Sequence, residues 1–263
     1  MSSTPSLLQD LQQGVLTLTL NRATQRNALD VPTLAALTAA LAQARENAEV
    51  RCVVLAASGV SFCSGADVKE WAQAEAEGRL ETYGWTEAAH VLMARLHSFS
   101  KPTLAVIQGS AVGAGVDLAL CCDLRLATRS AKFRPGYTAM AYSPDAGASW
   151  HLPRLIGQEQ ARRFLLLDEA WGAEKALATG LVGELCEDAE VLARTQALAQ
   201  RLASGPSFAH AQTKTLLAQS ATRTLAEQLE AERLAGLACG RTADAAEALA
   251  ASAEKRAPKF TGA

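Results

Sequence analysis

Two short glycine-containing segments each run into a helical stretch: Phe62-Cys-Ser-Gly-Ala-Asp67 and Gly113-Ala-Gly115. The first amides of a helix have no partner within it, so two such starts converging on one point would hold a developing oxyanion. That is acyl chemistry. Taken singly, each segment reads more simply as a tight turn whose glycines permit close packing. Neither fits G-x-G-x-x-G, nor a phosphate loop with its Lys-Ser/Thr, which disfavours hydride and phosphoryl transfer. His90 falls in a predicted helix over residues 81–100. A lone histidine there is a core or surface residue, or a proton shuttle with a suitable ordinary pKa. His97, His151 and His210 form no constellation. The six cysteines, Cys52, Cys63, Cys121, Cys122, Cys186 and Cys239, are scattered without C-x-x-C spacing and read as reduced thiols in core or helix positions.

The elements that must carry these groups follow from periodicity. Residues 14–21 alternate, with Leu16, Leu18 and Leu20 on one side, as a strand does. A helix follows, capped by Asp30, with Pro32 in its first turn and Leu34, Leu37 and Leu41 on one face. Residues 51–56 form a short buried strand, residues 58–67 a loop, and a helical stretch begins near Val68. Lys101-Pro102 ends the helix over 81–100, and residues 103–107 make the next strand. The second glycine turn leads into an apolar helical segment over 116–121 and a strand over 123–127. From Gln158 onward the chain reads as almost entirely helical, with breaks at Gly172, Gly180 and Gly205-Pro206. The expected architecture is an α/β core, residues 1–200, followed by a helical C-terminal region, residues 201–263.

The 263 residues are 49% hydrophobic and 20% charged with a net charge of −2, an ordinary globular composition. With a pI near 6.1 there is no electrostatic footprint for nucleic acid, so anionic ligands must be held locally. Residues 1–13 lack the basic start and apolar run of a signal peptide, and no stretch reaches the roughly 18 apolar residues of a membrane span. The expectation is a cytoplasmic protein with neither a nucleic-acid nor a membrane partner.

A series of landmarks then becomes specific: Arg26-Asn27-Ala28-Leu29, Phe62 to Glu70, Lys101-Pro102 with the strand into Gly109 and the glycine turn, Leu152-Pro153-Arg154-Leu155-Ile156-Gly157, Ala176-x-x-x-Gly180-Leu-Val182, and Arg256-x-Pro258-x-Phe260. In this order and spacing they resemble the crotonase (enoyl-CoA hydratase/isomerase) superfamily over nearly the whole chain. The resemblance implies an α/β superhelix of ββα turns with C-terminal helices that build trimers or dimers of trimers. It also implies an acyl-CoA or aryl-CoA thioester as substrate, no metal and no separate cofactor, since coenzyme A is part of the substrate. By motif, the amides of Ala66 and Ala114 form the oxyanion hole, and coenzyme A runs past Ala28, Ala66, Asp67 and Val68.

The reacting groups are where members of the superfamily differ. The hydratases resembled here use two glutamates at the positions of Asp117 and Tyr137, so this chain has one shorter acid and a phenol. Asp145, in Ser143-Pro-Asp-Ala-Gly147, matches the aspartate of several other branches. The epoxide/enoyl isomerases of phenylacetyl-CoA metabolism resemble the chain in Ser-Pro-Asp-x-Gly and the following Leu-Pro-Arg. Dienoyl-CoA isomerases resemble it in Gly115-Val-Asp-Leu118 and Asp145. The 4-chlorobenzoyl-CoA dehalogenases share an aspartate at Asp145, there a nucleophile, and a histidine at His90, but carry tryptophan and phenylalanine where Tyr137 and Ala66 stand. An aspartate in an otherwise apolar pocket has a raised pKa, which suits a base that takes and returns a proton. The competing reading is that Asp145 caps a helix beginning near Ala146. Tyr137 can orient Asp145 or shape the acyl pocket, and Asp117 can be an acid/base group or a hydrogen-bonding helix residue. The reading that fits best is double-bond isomerisation by proton transfer on a CoA thioester, with Asp145 as base. Its rivals are a hydratase using Asp117, a dehalogenase or hydrolase with Asp145 as nucleophile, and a non-enzymatic scaffold.

Overall fold

The computed structural model describes residues 5–79 and 83–263. Strands β1 (Leu7–Gln12) and β2 (Val15–Leu20) form an antiparallel hairpin, joined through Gln13 and Gly14, both at positive φ. Along β2 the alternation turns Leu16, Leu18 and Leu20 into the core. Strand β1 was not legible from its residues. It is an edge strand whose residues after Leu7 are exposed, so no buried alternation marks it.

Helix α1 (Val31–Glu46) starts as its sequence dictates. Asp30 accepts a 2.8 Å hydrogen bond from the Thr33 amide, Pro32 lies in the first turn, and Leu34, Leu37 and Leu41 are buried. At the other end Lys101 Nζ donates to the carbonyls of Ala44 and Asn47, at 2.7 and 2.6 Å, and so joins the α1 C-terminus to the chain just before the strand over Thr103–Ile107.

The main sheet continues through β3 (Cys52–Ala57), β4 (Thr103–Ile107), β6 (Leu124–Thr128) and β9 (Glu184–Cys186), in the order β1-β2-β3-β4-β6-β9 and parallel from β2 onward. A smaller sheet is made by β5 (Ser110–Val112), β7 (Lys132–Arg134) and β8 (Trp171–Gly172). Helices α2 (Val68–Ala76) and α3 (Trp85–His97) lie between β3 and β4. The helix expected over 81–100 is therefore α3, and its expected start at Glu81 lies outside the described residues. Strand, short second strand and helix then recur twice: β4–β5–α4 (Ala114–Leu120) and β6–β7–α5 (Ala148–Leu167). This mixed α/β plan agrees with the ββα expectation.

The chain after Gln158 is less uniformly helical than its Ala/Leu/Glu composition suggests. Helix α5 already begins at Ala148, and β8 and β9 flank α6 (Ala173–Thr179). Both strands are three residues or shorter, too brief for a readable period. Helix α7 (Val191–Ala203) covers the second face of the main sheet, burying Ala199 and Ala203 beside Cys52, Val54 and Leu104. The last helices are α8 (Ser207–Gln219), α9 (Leu225–Cys239) and α10 (Ala243–Ala253). Arg51 ties this region to the sheet through the carbonyls of Gly205 (2.6 Å) and Phe260 (3.0 Å). Among the described residues no helix is long and apolar enough to cross a membrane.

Candidate active site

The two glycine turns meet. The first is paired to β5 by Cys63 N to Ser110 O (3.1 Å) and Val112 N to Cys63 O (2.9 Å). Two glycines make the approach possible. A Cβ on Gly65 (φ +88°) would stand 2.8 Å from Val112 O, and one on Gly115 would stand 2.5 Å from Cys63 O. Around the turns the amides are engaged: Leu29 N donates to Gly65 O, Asp67 N to Leu29 O, Gly113 N to Arg134 O, and Val116 N and Asp117 N to Gly113 O. The Ala66 and Ala114 amides make no such bond among the described residues, and both residues line one pocket of about 280 Å³. Ala114 is the first residue of α4, where an amide has no helical acceptor.

Asp145 reaches the same pocket from the loop between β7 and α5. It does not cap α5. The cap position is Gly147, at φ 118°, and no side chain bonds to the helix start there. The carboxyl is half-buried, and desolvation raises its pKa above the usual aspartate value. Its own amide and the nearby His90 ring act in the opposite direction, more weakly. His90 itself does not line the pocket. Its Nε2 lies 2.7 Å from the Asp145 main-chain carbonyl, which can only accept, so Nε2 carries the proton and donates.

Tyr137 and Asp117 form a pair. The Tyr137 phenol lines the pocket and donates to Oδ2 of Asp117, which is fully buried behind it. Desolvation pushes the Asp117 carboxyl up to about 7; the Tyr137 bond lowers it, and the Asp145 charge raises it again. The Ala148 amide at the α5 start draws it down slightly, although Oδ1 has no partner within ordinary hydrogen-bond geometry. Burial likewise raises the Tyr137 phenol far above its usual range. Asp117 is thus not in the pocket wall, where the sequence reading allowed an acid/base group. The loop bearing Tyr137 is fixed by Asp168, which accepts from Gly136 N (2.7 Å) and Arg134 Nε (2.9 Å).

The expected coenzyme A positions fall around the first turn. Val68 is half-exposed at the start of α2. Asp67, by contrast, is buried and already engaged: it pairs with Arg22 at 3.0 Å and accepts from Lys69 N at 3.3 Å. The same Arg22 donates to Ala28 O (2.6 Å) and pairs with Asp30 (3.1 Å). Asn27 is a buried pillar of this corner, donating to Ser58 O (2.9 Å) and Ser61 O (2.8 Å) and accepting from Arg22 N (2.9 Å). The Asn27 landmark therefore has a local structural reason.

Sequence reasoning missed the aromatic side of the pocket. Trp71 and Trp85 come from α2 and α3, and Tyr142 from the loop before Asp145. Trp71 meets Trp85 edge-on at 5.4 Å between ring centroids and Tyr142 at 5.5 Å. Trp85 is fixed by a 2.7 Å bond from Nε1 to Leu29 O. Their scarcity in an otherwise aromatic-poor chain was the available signal. The cysteines are free, and burial raises Cys52, Cys63 and Cys122 to about 12, which makes them inert thiols.

Comparison with known proteins places the chain in a family. A family model described as "Enoyl-CoA hydratase/isomerase" matches residues 10–263. The chain is 40% identical over 255 residues to a Rhodobacter capsulatus protein named "Probable enoyl-CoA hydratase", covering 96% of each chain. It is 34% identical over 258 residues to the 1,2-epoxyphenylacetyl-CoA isomerase of Escherichia coli K12, covering 97% of this chain and 98% of that one. A solved structure from Pseudomonas aeruginosa is 60% identical with a TM-score of 0.85, covering 89% of this chain and 99% of the other. The chain thus has the crotonase fold and belongs to the enoyl-CoA hydratase/isomerase family of acyl-CoA enzymes.

Proposed function

We propose that the enzyme isomerises a double bond, or an equivalent group, in an acyl-CoA thioester by moving one proton through an enolate. The Asp145 carboxylate removes a proton from the α- or γ-carbon. The electron pair of that C–H bond moves into the conjugated system and onto the thioester oxygen, where the Ala66 and Ala114 amides hold the negative charge. The neutral Asp145 acid then returns the proton to the other carbon. Each amide donor of this kind contributes about 3 kcal/mol to the enolate-like transition state.

The observation that carries this reading is that Asp145 is the one carboxylate lining the pocket among the described residues. A single base suffices for taking and returning a proton, whereas activation of water by two facing acids needs a second. Asp117 cannot serve as that second acid while it is sealed behind Tyr137. His90 acts as a positioning residue that holds the Asp145 peptide, and Asp117 positions the Tyr137 phenol. Coenzyme A passes the Ala28 corner and the Ala66–Val68 turn, with Asp67 serving as the buttress of that turn rather than as a ligand. Relatives are named for both an epoxyphenylacetyl-CoA isomerisation and an enoyl-CoA hydration, and it is the single pocket carboxylate that favours isomerase chemistry here. Incubation in deuterated water tests the proposal: carbon-bound deuterium should appear in the ester and no enzyme ester should form.

A further inference from the structure

Aromatic residues make up only 5% of this chain, six phenylalanines besides four tryptophans and three tyrosines, and the latter two types number seven. Four of those seven side chains, Trp71, Trp85, Tyr137 and Tyr142, line the pocket that holds Asp145. Trp71, Trp85 and Tyr142 also line a second, neighbouring pocket of about 320 Å³, so they form a wall shared by both cavities. This wall is fixed at Trp85, which is buried and bonded to Leu29 O at 2.7 Å. It is open at Tyr142, which is 47% exposed.

Resting on the proton-transfer reading of the same site, we infer that the acyl group of the substrate is aromatic and uncharged, a phenyl or similar planar ring seated against Trp71 and Tyr142. The interplanar angles, 79° for Trp71 with Trp85 and 67° for Trp71 with Tyr142, are those of edge-to-face packing. A further ring extends such a cluster by the same contact, which adds to the area it buries. A flexible alkyl chain gains only the area and loses rotor freedom against a wall that does not need to adapt.

Charge argues for a neutral ring. Arg134 is the only cationic side chain lining the pocket among the described residues, and its guanidinium is bound to Asp168. An acyl group bearing its own carboxylate would therefore meet Asp145 without a free counter-charge.

The test is the affinity of the enzyme for phenylacetyl-CoA and for octanoyl-CoA, which has the same number of acyl carbons, measured by titration calorimetry. Phenylacetyl-CoA should bind tighter by about fivefold or more, the size expected from one or two aromatic contacts. Tyr142→Leu, at an exposed position that tolerates truncation, should abolish the preference, and Tyr142→Phe should keep it. A smaller or reversed preference, or a preference that survives Tyr142→Leu, overturns the aromatic assignment. Deuterium exchange measured on the same samples reports separately on Asp145, so loss of the proton-transfer reading is distinguishable from loss of this one.

Discussion

The phenol of Tyr137 donates to Oδ2 of Asp117, and the other carboxylate oxygen, Oδ1, has no partner within ordinary hydrogen-bond geometry. Burial of an incompletely bonded carboxylate favours its neutral form, which is why this acid is held near 7. A group whose pKa is higher in the folded than in the unfolded state makes folding take up a proton. Its contribution to stability is full below the unfolded value near 4 and is lost as pH rises through about 7. The melting temperature should fall between pH 5 and pH 8, by an amount equivalent to a few kcal/mol at most. Asp117→Asn, neutral at every pH and still able to accept the phenol proton, should flatten that slope. A variant with the wild-type slope would remove Asp117 as its source.

Ala114→Pro deletes one backbone donor that no side-chain change can reach. Proline is tolerated at a first helical position, so the variant should fold. Turnover should fall on the order of a hundredfold, the effect of losing one oxyanion donor, with a small change in ester affinity. A folded variant with near-normal turnover would contradict the assignment of that amide.

His90 is expected to act through position. His90→Ala should lower kcat by roughly ten- to a hundredfold while leaving KM nearly unchanged, because the Asp145 peptide loses its anchor. His90→Gln, whose amide can donate to the same carbonyl, should restore most of the loss. If glutamine were no better than alanine, and the acid limb of the pH profile vanished in both, His90 would be a proton carrier instead.

Helices α8 to α10 leave Leu217, Leu225, Leu229, Leu234, Leu237 and Leu249 more than half exposed. Exposed leucines on three successive helices are the kind of apolar surface that an interface between copies would cover. The expected outcome is that residues 201–263 form the contact of a trimer or a dimer of trimers, seen as the corresponding mass by light scattering at micromolar concentration. A monomer at that concentration would refute it.

Much of this site is encoded locally and was therefore readable. The Asp30 cap, the Leu34/Leu37/Leu41 face and the two glycine turns depend on residues a few positions apart. The structure supplies for each the partner that the residue type requires. What sequence could not supply was which side chains face one another across long separations. Tyr137 and Asp117 are twenty residues apart, and His90 is fifty-five residues from the carbonyl it holds. Trp71 and Trp85 sit on different helices in a stretch with weak periodicity, so their shared role emerges only from packing. The ion pair of Asp67 was hidden for a related reason, because its partner Arg22 lies in another turn of the fold.

The most direct measurement is the incorporation of solvent deuterium into phenylacetyl-CoA and 3-hexenoyl-CoA by wild-type enzyme and by Asp145→Asn, followed by mass spectrometry of both the esters and the intact protein. If Asp145 shuttles a proton through an enolate, deuterium enters at the α- or γ-carbon of at least one ester. Exchange then falls by several orders of magnitude in Asp145→Asn, and the protein mass stays unchanged throughout. A covalent acyl or aryl adduct on Asp145, or exchange that survives Asp145→Asn, would each contradict the account.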